Sequence, residues 1–209
     1  MPVPEYHNIL IDPLPVTVMV AGEEVSIASD FRTGILFEIL AQDGTIDKEM
    51  KAQAALQLWF PQGLPVYTEE SINDAVDQML WFYLCGKTIT EQPEKTNGKP
   101  QSKGISRRIY DFDIDAPLIY AAFLAQYRID LQDVEDLHWW KFTAMFAGLS
   151  EEHEISKIMG YRSIELATIK NKAERERYTK LQAKYALPDN RSVEDKERMI
   201  GSLFGGMMR

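Results

Sequence analysis

The spacing of apolar residues is the feature of this chain that most restricts its fold. Between Ile72 and Tyr83, large apolar side chains recur every three or four residues, which is the period of an α-helix. The same period runs through the stretch from Trp139 to Leu149. Apolar and polar residues alternate, as they do in a half-buried strand, within residues 16–28. These patterns predict a mainly α-helical protein with one small β-hairpin near its N-terminus.

The N-terminal part of the chain carries start signals for helices. Ser29 or Asp30 can cap a first helix, and Thr68 with Ser71 can cap a third. A second helix is expected between these two, because another stretch of helical period ends shortly before a proline. Residues 1–87 are therefore predicted to form a module of one hairpin followed by three helices.

A strongly polar stretch divides the chain. Residues 91–104 (EQPEKTNGKPQSKG) contain no apolar residue apart from prolines and glycines, so they cannot bury enough surface to offset the entropy lost on ordering. We expect a polar linker or loop over 88–108 and a C-terminal helical bundle over 109–187. This bundle would end in a long charged helix from about Arg162 to Ala186, and residues 188–209 would form a flexible tail.

Composition and charge exclude several classes of protein. The 209 residues include a single cysteine, so no intramolecular disulfide can form, and no stretch has the roughly 18 uncharged apolar residues of a membrane span. Residues 1–105 carry 7 Lys+Arg and 15 Asp+Glu, a net charge of −8, whereas residues 106–209 carry 16 and 17. We expect a cytoplasmic protein for which nucleic acid is disfavoured. A solvated acidic surface is the favoured interpretation of the N-terminal half, and attraction of a basic partner is the alternative.

The hexapeptide LHWWKF (137–142) raises the question of an active site, an aromatic binding surface or a core. Its apolar residues fall on two flanks of a predicted helix, and such a helix is usually central to a bundle. His138 and Lys141 could serve as acid and base, but no nucleophile, glycine-rich loop or ligand cluster accompanies them. We interpret the hexapeptide as core that holds the C-terminal helices together. The predicted core residues are Leu137, Trp139, Trp140, Phe142, Phe146, Tyr120 and Phe123.

An alternating acidic run invites a metal-site interpretation. Asp111, Asp113 and Asp115 are spaced like ligands of a hard cation, yet no turn glycine and no later bidentate glutamate completes such a loop. Capping of a helix by Asp113 or Asp115, with Pro117 in its first turn, is the favoured interpretation.

Residues 154–170 (EISKIMGYRSIELATIK) resemble a helix-turn-helix. The second helix would present Arg162, Ser163 and Lys170 to a major groove. The overall acidity and Glu165 oppose binding to phosphates, so a DNA-binding protein is a lesser alternative.

Through five short motifs in sequence order, the chain resembles a family of tailed (siphovirus-type) phage proteins of Gram-positive hosts. The genes of this family lie just before the gene for the tail tape-measure protein. The resemblance covers 109–187, with a looser likeness in the N-terminal half. The motifs are Tyr110-Asp111-Phe112, Ile119 to Phe123, Tyr127 to Leu131, Leu137 to Phe142, and Ile158 to Arg162.

This resemblance implies a non-enzymatic tail assembly chaperone, without a cofactor or metal. Such a protein binds the coiled-coil-prone tape-measure protein in the host bacterial cytoplasm and helps to recruit tail tube subunits. A permanent tail or connector subunit is the alternative, and a homo-oligomer stays open. The candidate partner-binding positions are the acidic first half and the apolar residues of the last helix, Ile164, Ala167, Leu181 and Tyr185.

Overall fold

The computed structural model describes residues 8–87 and 108–188, which form a hairpin and seven helices. The predicted mainly helical class, with an N-terminal antiparallel hairpin, is confirmed. The elements are β1 (Thr17–Val20), β2 (Glu23–Ser26), α1 (Phe31–Gln42), α2 (Lys48–Trp59), α3 (Glu69–Tyr83), α4 (Ala116–Tyr127), α5 (Trp139–Ala147), α6 (Glu154–Ser163), a short 3-10 helix (Leu166–Thr168) and α7 (Lys172–Lys184).

The hairpin packs one face on α3. Ala21 and Gly22 form its turn with φ values of 52° and 82°, the sign that a tight hairpin turn requires. Glu23 already pairs with Val20, so Ala21 and Gly22 alone form the loop. Val18 and Val20 are buried, whereas Met19 between them is exposed.

Local capping chemistry starts several helices where the sequence predicts. The Asp30 carboxylate accepts from the backbone N–H of Arg32 at the start of α1. Thr68 and Ser71 form the expected capping box of α3. Each side chain satisfies a backbone N–H that has no partner within its own helix.

The predicted start of the last helix is wrong. α6 continues through Arg162 to Ser163, and the chain leaves the helix at Ile164 with extended backbone angles. α7 begins at Lys172, where the Asn171 side chain accepts from the N–H of Glu174. The apolar pattern alone does not show this interruption, because Leu166 and Ile169 continue the helical spacing through it.

One buried hydrophobic cluster draws residues from both halves of the chain, including Phe31, Trp59 and Phe82 from the first and Phe123 and Phe142 from the second. The predicted linker over 88–108 lies outside the described residues except for Arg108, and the predicted tail over 188–209 except for Pro188. The division into modules therefore stays a prediction, although the described halves share this cluster.

The adjacent tryptophans of the hexapeptide, here called the tryptophan pair, attach α5 to the end of α3. The indole Nε1 of Trp139 donates to the carbonyl of Tyr83 at 2.9 Å, and that of Trp140 donates to the carbonyl of Phe82 at 2.7 Å. These carbonyls lie in the last turn of α3, where intrahelical partners run out. The sequence predicts that the pair holds the C-terminal helices together, whereas its hydrogen-bond partners lie on α3, in the N-terminal half.

Backbone hydrogen bonds fix the same junction from the side of α1. Trp139 N donates to Ser29 O at 2.8 Å, and Phe31 N donates to Leu137 O at 2.9 Å. The Trp139 ring then lies directly on the α1 backbone at Gly34, where a methyl group would overlap the indole. Glycine at position 34 is thus required for the close approach of α1 and α5.

Replacement of Gly34 by alanine is expected to destabilise the protein by roughly 1–3 kcal/mol, because the added methyl forces the Trp139 ring or α1 to move. Urea unfolding followed by tryptophan fluorescence measures the change.

Gly160→Ala in α6 is the matched control. No atom lies within 4 Å of a methyl built at position 160, so the variant should gain roughly 0.5–1 kcal/mol from helix propensity. If both variants had the same stability as the wild type, the close packing at Gly34 would be without energetic consequence.

Candidate partner-binding surface

The predicted core residues lie where α5 and α4 meet the rest of the chain. Phe142 stacks on Phe123 of α4, with ring centroids 5.0 Å apart. Tyr120 is half-buried and donates its hydroxyl to Asp130 at 2.9 Å. The buried members are Leu137, Trp139, Trp140, Phe142, Phe146 and Phe123.

His138 is buried and holds the start of α5. Its Nδ1 accepts from the N–H of Trp140 at 3.1 Å, and its Nε2 lies 2.9 Å from the carbonyl of Pro15. This arrangement requires a neutral imidazole protonated at Nε2, since Nδ1 acts as an acceptor. Lys141, one helical turn away, is exposed, whereas His138 is buried and both its ring nitrogens are engaged within the chain.

The pKa of His138 is lowered, chiefly by burial. Because the unfolded chain takes up a proton at about pH 6.5 and the folded chain only at lower pH, this histidine should make the protein less stable as pH falls below about 6.5. Urea unfolding at pH 7.5 and 5.5 measures the loss. In His138→Asn, where asparagine can still cap α5, the loss should be smaller. An equal loss in both proteins would assign it to other groups.

A second buried titratable group joins α1, α3 and the segment before α4. The Glu38 carboxylate accepts hydrogen bonds from the hydroxyls of Tyr83 and Tyr110 at 3.0 and 3.1 Å. Burial raises the pKa of Glu38, and burial beside this carboxylate raises the pKa of both tyrosines. The sequence signal was weak, since a glutamate within an apolar helix is equally typical of a solvent-facing position.

The acidic run stabilises the turn before α4 and supplies one member of a buried ion pair. Asp111 accepts from the backbone N–H groups of Asp113 and Ile114 and closes the turn before α4. Asp115 occupies the cap position without making a side-chain capping bond, and Asp113 is exposed, so the predicted capping by either is wrong. Among residues 8–87 and 108–188, no group of three or more His, Cys, Asp or Glu side chains could hold a metal ion.

Arg162 is the buried partner of Asp115. Its guanidinium makes two contacts with that carboxylate, at 2.6 and 3.1 Å, and donates to the carbonyls of Ile109 and Tyr185. Arg162 is only 5% exposed. The predicted helix-turn-helix is therefore wrong, because its leading base-contacting residue is buried and the chain is not helical from Ile164 to Glu165.

Replacing Arg162 with methionine is expected to cost roughly 3–5 kcal/mol, because the Asp115 carboxylate stays buried without its partner. Thermal unfolding measures the change. Lys172→Met is the control: its side chain is 83% exposed and lies 4.0 Å from Glu176, so it should alter stability by no more than about 0.5 kcal/mol. Similar losses in both would mean that the buried pair has no special role.

The candidate partner-binding residues of the C-terminal region have different surroundings. Ala167 is exposed, whereas Ile164, Leu181 and Tyr185 are half-buried. The Tyr185 ring stacks on Tyr161 with centroids 6.0 Å apart. The end of α7 thus docks on α6, although the start of α7 is exposed. Their role in binding stays a prediction.

Exposed large apolar side chains concentrate in the acidic half. Residues 8–87 carry 4 Lys+Arg and 12 Asp+Glu, a net charge of −8. Ile114 and Leu124 are the exposed large apolar residues of the range 108–188. Those of the range 8–87 are Ile9, Leu10, Ile11, Val16, Met19, Leu36, Ile39, Met50, Val66 and Tyr67.

Seven of these ten residues lie in two chain segments, 8–29 and 60–80. They meet where β1 packs on α3 and where Ala21 N donates to the Asp74 carboxylate at 2.7 Å. We call their exposed side chains the hairpin–α3 surface. Its large apolar members are Ile9, Leu10, Ile11, Val16, Met19, Val66 and Tyr67.

A smaller apolar face lies on α1. Leu36 and Ile39 are one turn apart and point away from the buried positions Gly34 and Glu38. Sequence reasoning indicated the acidic half as a binding region but did not identify these positions, because exposed apolar residues follow the same spacing as buried ones.

Comparison with known proteins identifies the family. The family model described as Bacteriophage Gp15 protein matches residues 10–187, which include every strand and helix described above. The chain belongs to this family. Membership supports a phage-related structural or assembly role. No curated protein and no solved structure matches the chain.

The described part of this Gp15 family member has no helix that is long and apolar enough to cross a membrane.

Proposed function

We propose that this Gp15 family protein is a non-enzymatic phage tail assembly chaperone. It binds the tape-measure protein in the host bacterial cytoplasm and helps tail tube subunits to assemble around it. Family membership supports a structural or assembly role, and the resemblance to proteins encoded before the tape-measure gene supports the finer assignment.

The observation that carries the proposal is the exposed apolar area on the acidic half. Ten of the twelve exposed large apolar residues in the described ranges lie between Ile9 and Tyr67. Contiguous exposed apolar patches mark sites where another protein binds, and in our proposal these side chains supply such a patch. The net charge of −8 over residues 8–87 would keep a complex soluble while those side chains cover apolar surface of the partner.

The described residues contribute no arrangement that favours catalysis over binding. His138 supports a helix start, and Asp115 is neutralised by Arg162. A non-enzymatic role is therefore our proposal for the whole protein.

Co-expression with the tape-measure protein of the same phage tests the function. The tape-measure protein should be soluble only with this chain present, and the two should elute together in size-exclusion chromatography after pull-down. An insoluble tape-measure protein beside a separately eluting chain would contradict the proposal.

Mass spectrometry of purified phage particles separates the chaperone from the alternative. A chaperone should be absent from finished particles. A stoichiometric amount in the particles would instead support a permanent tail or connector subunit.

A further inference from the structure

We infer that the hairpin–α3 surface binds a segment of its partner in which lysine or arginine residues flank large apolar side chains, as on one face of an amphipathic helix. The inference rests on the proposed function and names the kind of sequence that this surface recognises. It follows from the charge of the surface, its ordered apolar groups and the partners that its charge disfavours.

The charge of the surface has a single sign. Residues 8–29 and 60–80 contain no lysine or arginine. None of their acidic side chains is buried, and none forms an ion pair with a residue in the described ranges. They are Asp12, Glu23, Glu24, Glu69, Glu70, Asp74 and Asp77. By contrast, the α1–α2 region mixes both signs through Arg32, Lys48 and Lys51.

The turn at residues 8–12 presents apolar groups in a fixed shape. Ile11 N and Asp12 N donate to the carbonyl of Asn8 at 3.0 and 2.9 Å, and Asn8 N donates to the Asp12 carboxylate at 2.7 Å. Leu10 and Ile11 on this turn are 86% and 78% exposed. An already ordered backbone loses little entropy on binding, so these side chains favour association.

Tyr67 is a second ordered apolar group. Its side chain is 72% exposed, yet its hydroxyl accepts a hydrogen bond from Leu64 N at 3.2 Å. Gly63, with φ +81°, leaves room for this hydroxyl, since a Cβ built there would lie 2.9 Å from it. Tyrosines held in one orientation are frequent among the residues that dominate binding energies. Tyr67 is therefore our central contact.

The charge also selects among partners. Nucleic acid and a second copy of the same surface would both bring negative charge against carboxylates that have no counter-ion in the described chain. A basic apolar segment pairs with carboxylates such as Glu69 and Glu70 and covers the neighbouring ring of Tyr67. Lysine and arginine suit such a segment, because their aliphatic stems lie along apolar surface while their charges reach the acids.

Two synthetic helical peptides test this recognition on the full-length protein. Both carry the same leucine stripe, flanked by lysines in one peptide and by glutamates in the other. In fluorescence anisotropy, the lysine peptide should bind at least about tenfold more tightly, and its affinity should fall as salt is raised.

Two variants locate the site. Tyr67→Ala should weaken binding of the lysine peptide at least about fivefold, and the double variant Glu69→Gln, Glu70→Gln should weaken it about threefold to tenfold. Glu151→Gln with Glu152→Gln is the matched control, because these adjacent glutamates are exposed in the other half of the chain. Their replacement should leave binding unchanged. Circular dichroism confirms that each variant is folded.

Equal binding of the two peptides would overturn the inference, as would wild-type affinity in both hairpin–α3 variants. Co-expression of the same variants with the tape-measure protein separates this failure from failure of the proposed function. Rescue of that protein by the wild type and all variants would keep the chaperone role and reject the surface. Failure of the wild type to rescue, with the peptide still bound, would keep the surface and reject that partner.

Discussion

The docking of two indole rings on the end of α3 is the interaction on which the described structure depends. Trp139 and Trp140 donate to successive carbonyls of α3, and the main chain beside them bonds to residues 29 and 31. Helix ends leave carbonyls without intrahelical partners, and buried indoles need acceptors, so the two indoles find their acceptors at the end of α3. It also brings the Trp139 ring onto α1, where Gly34 leaves the space. The N-terminal helices and the C-terminal half thus form their shared core at this junction.

This junction determines which parts of the chain remain available for binding. The hexapeptide is the most distinctive motif of the sequence, yet its apolar side chains and its histidine are buried within the chain. A partner cannot reach them without unfolding. The hairpin, by contrast, buries Val18 and Val20 and leaves Met19 exposed, and Tyr67 stands outside the core. The residues that make a sequence recognisable are here residues of the fold, and the candidate binding residues are less conspicuous.

The features predicted correctly from the sequence are local ones. Thr68 and Ser71 lie three residues apart, so their capping box can be read from the sequence, as can the hairpin around Ala21-Gly22. The features that the sequence does not predict correctly depend on contacts between residues far apart in the chain. Trp139 meets Gly34, and Arg162 meets Asp115, and nothing in either local sequence indicates its partner. The break between α6 and α7 cannot be read from the sequence, because apolar spacing continues through it. The sequence indicates the acidic half as a candidate binding region but does not identify its particular side chains, because apolar periodicity does not distinguish a buried from an exposed position.

Arg162 and the hairpin–α3 acids differ in whether their charges are paired within the fold. A basic residue in a helix-turn-helix pattern suggests contact with phosphate, yet Arg162 is enclosed by Asp115 and two carbonyls, so its charge is already compensated within the fold. The acids of the hairpin and α3 have no such compensation among the described residues. Exposed carboxylates of this kind contribute little to stability, and their mutual repulsion slightly opposes it. Removing Arg162 should therefore impair folding, whereas neutralising Glu69 and Glu70 should leave the fold intact and affect what approaches it. An exposed charge that has no ion pair within the fold therefore indicates a binding partner better than a buried, paired charge does.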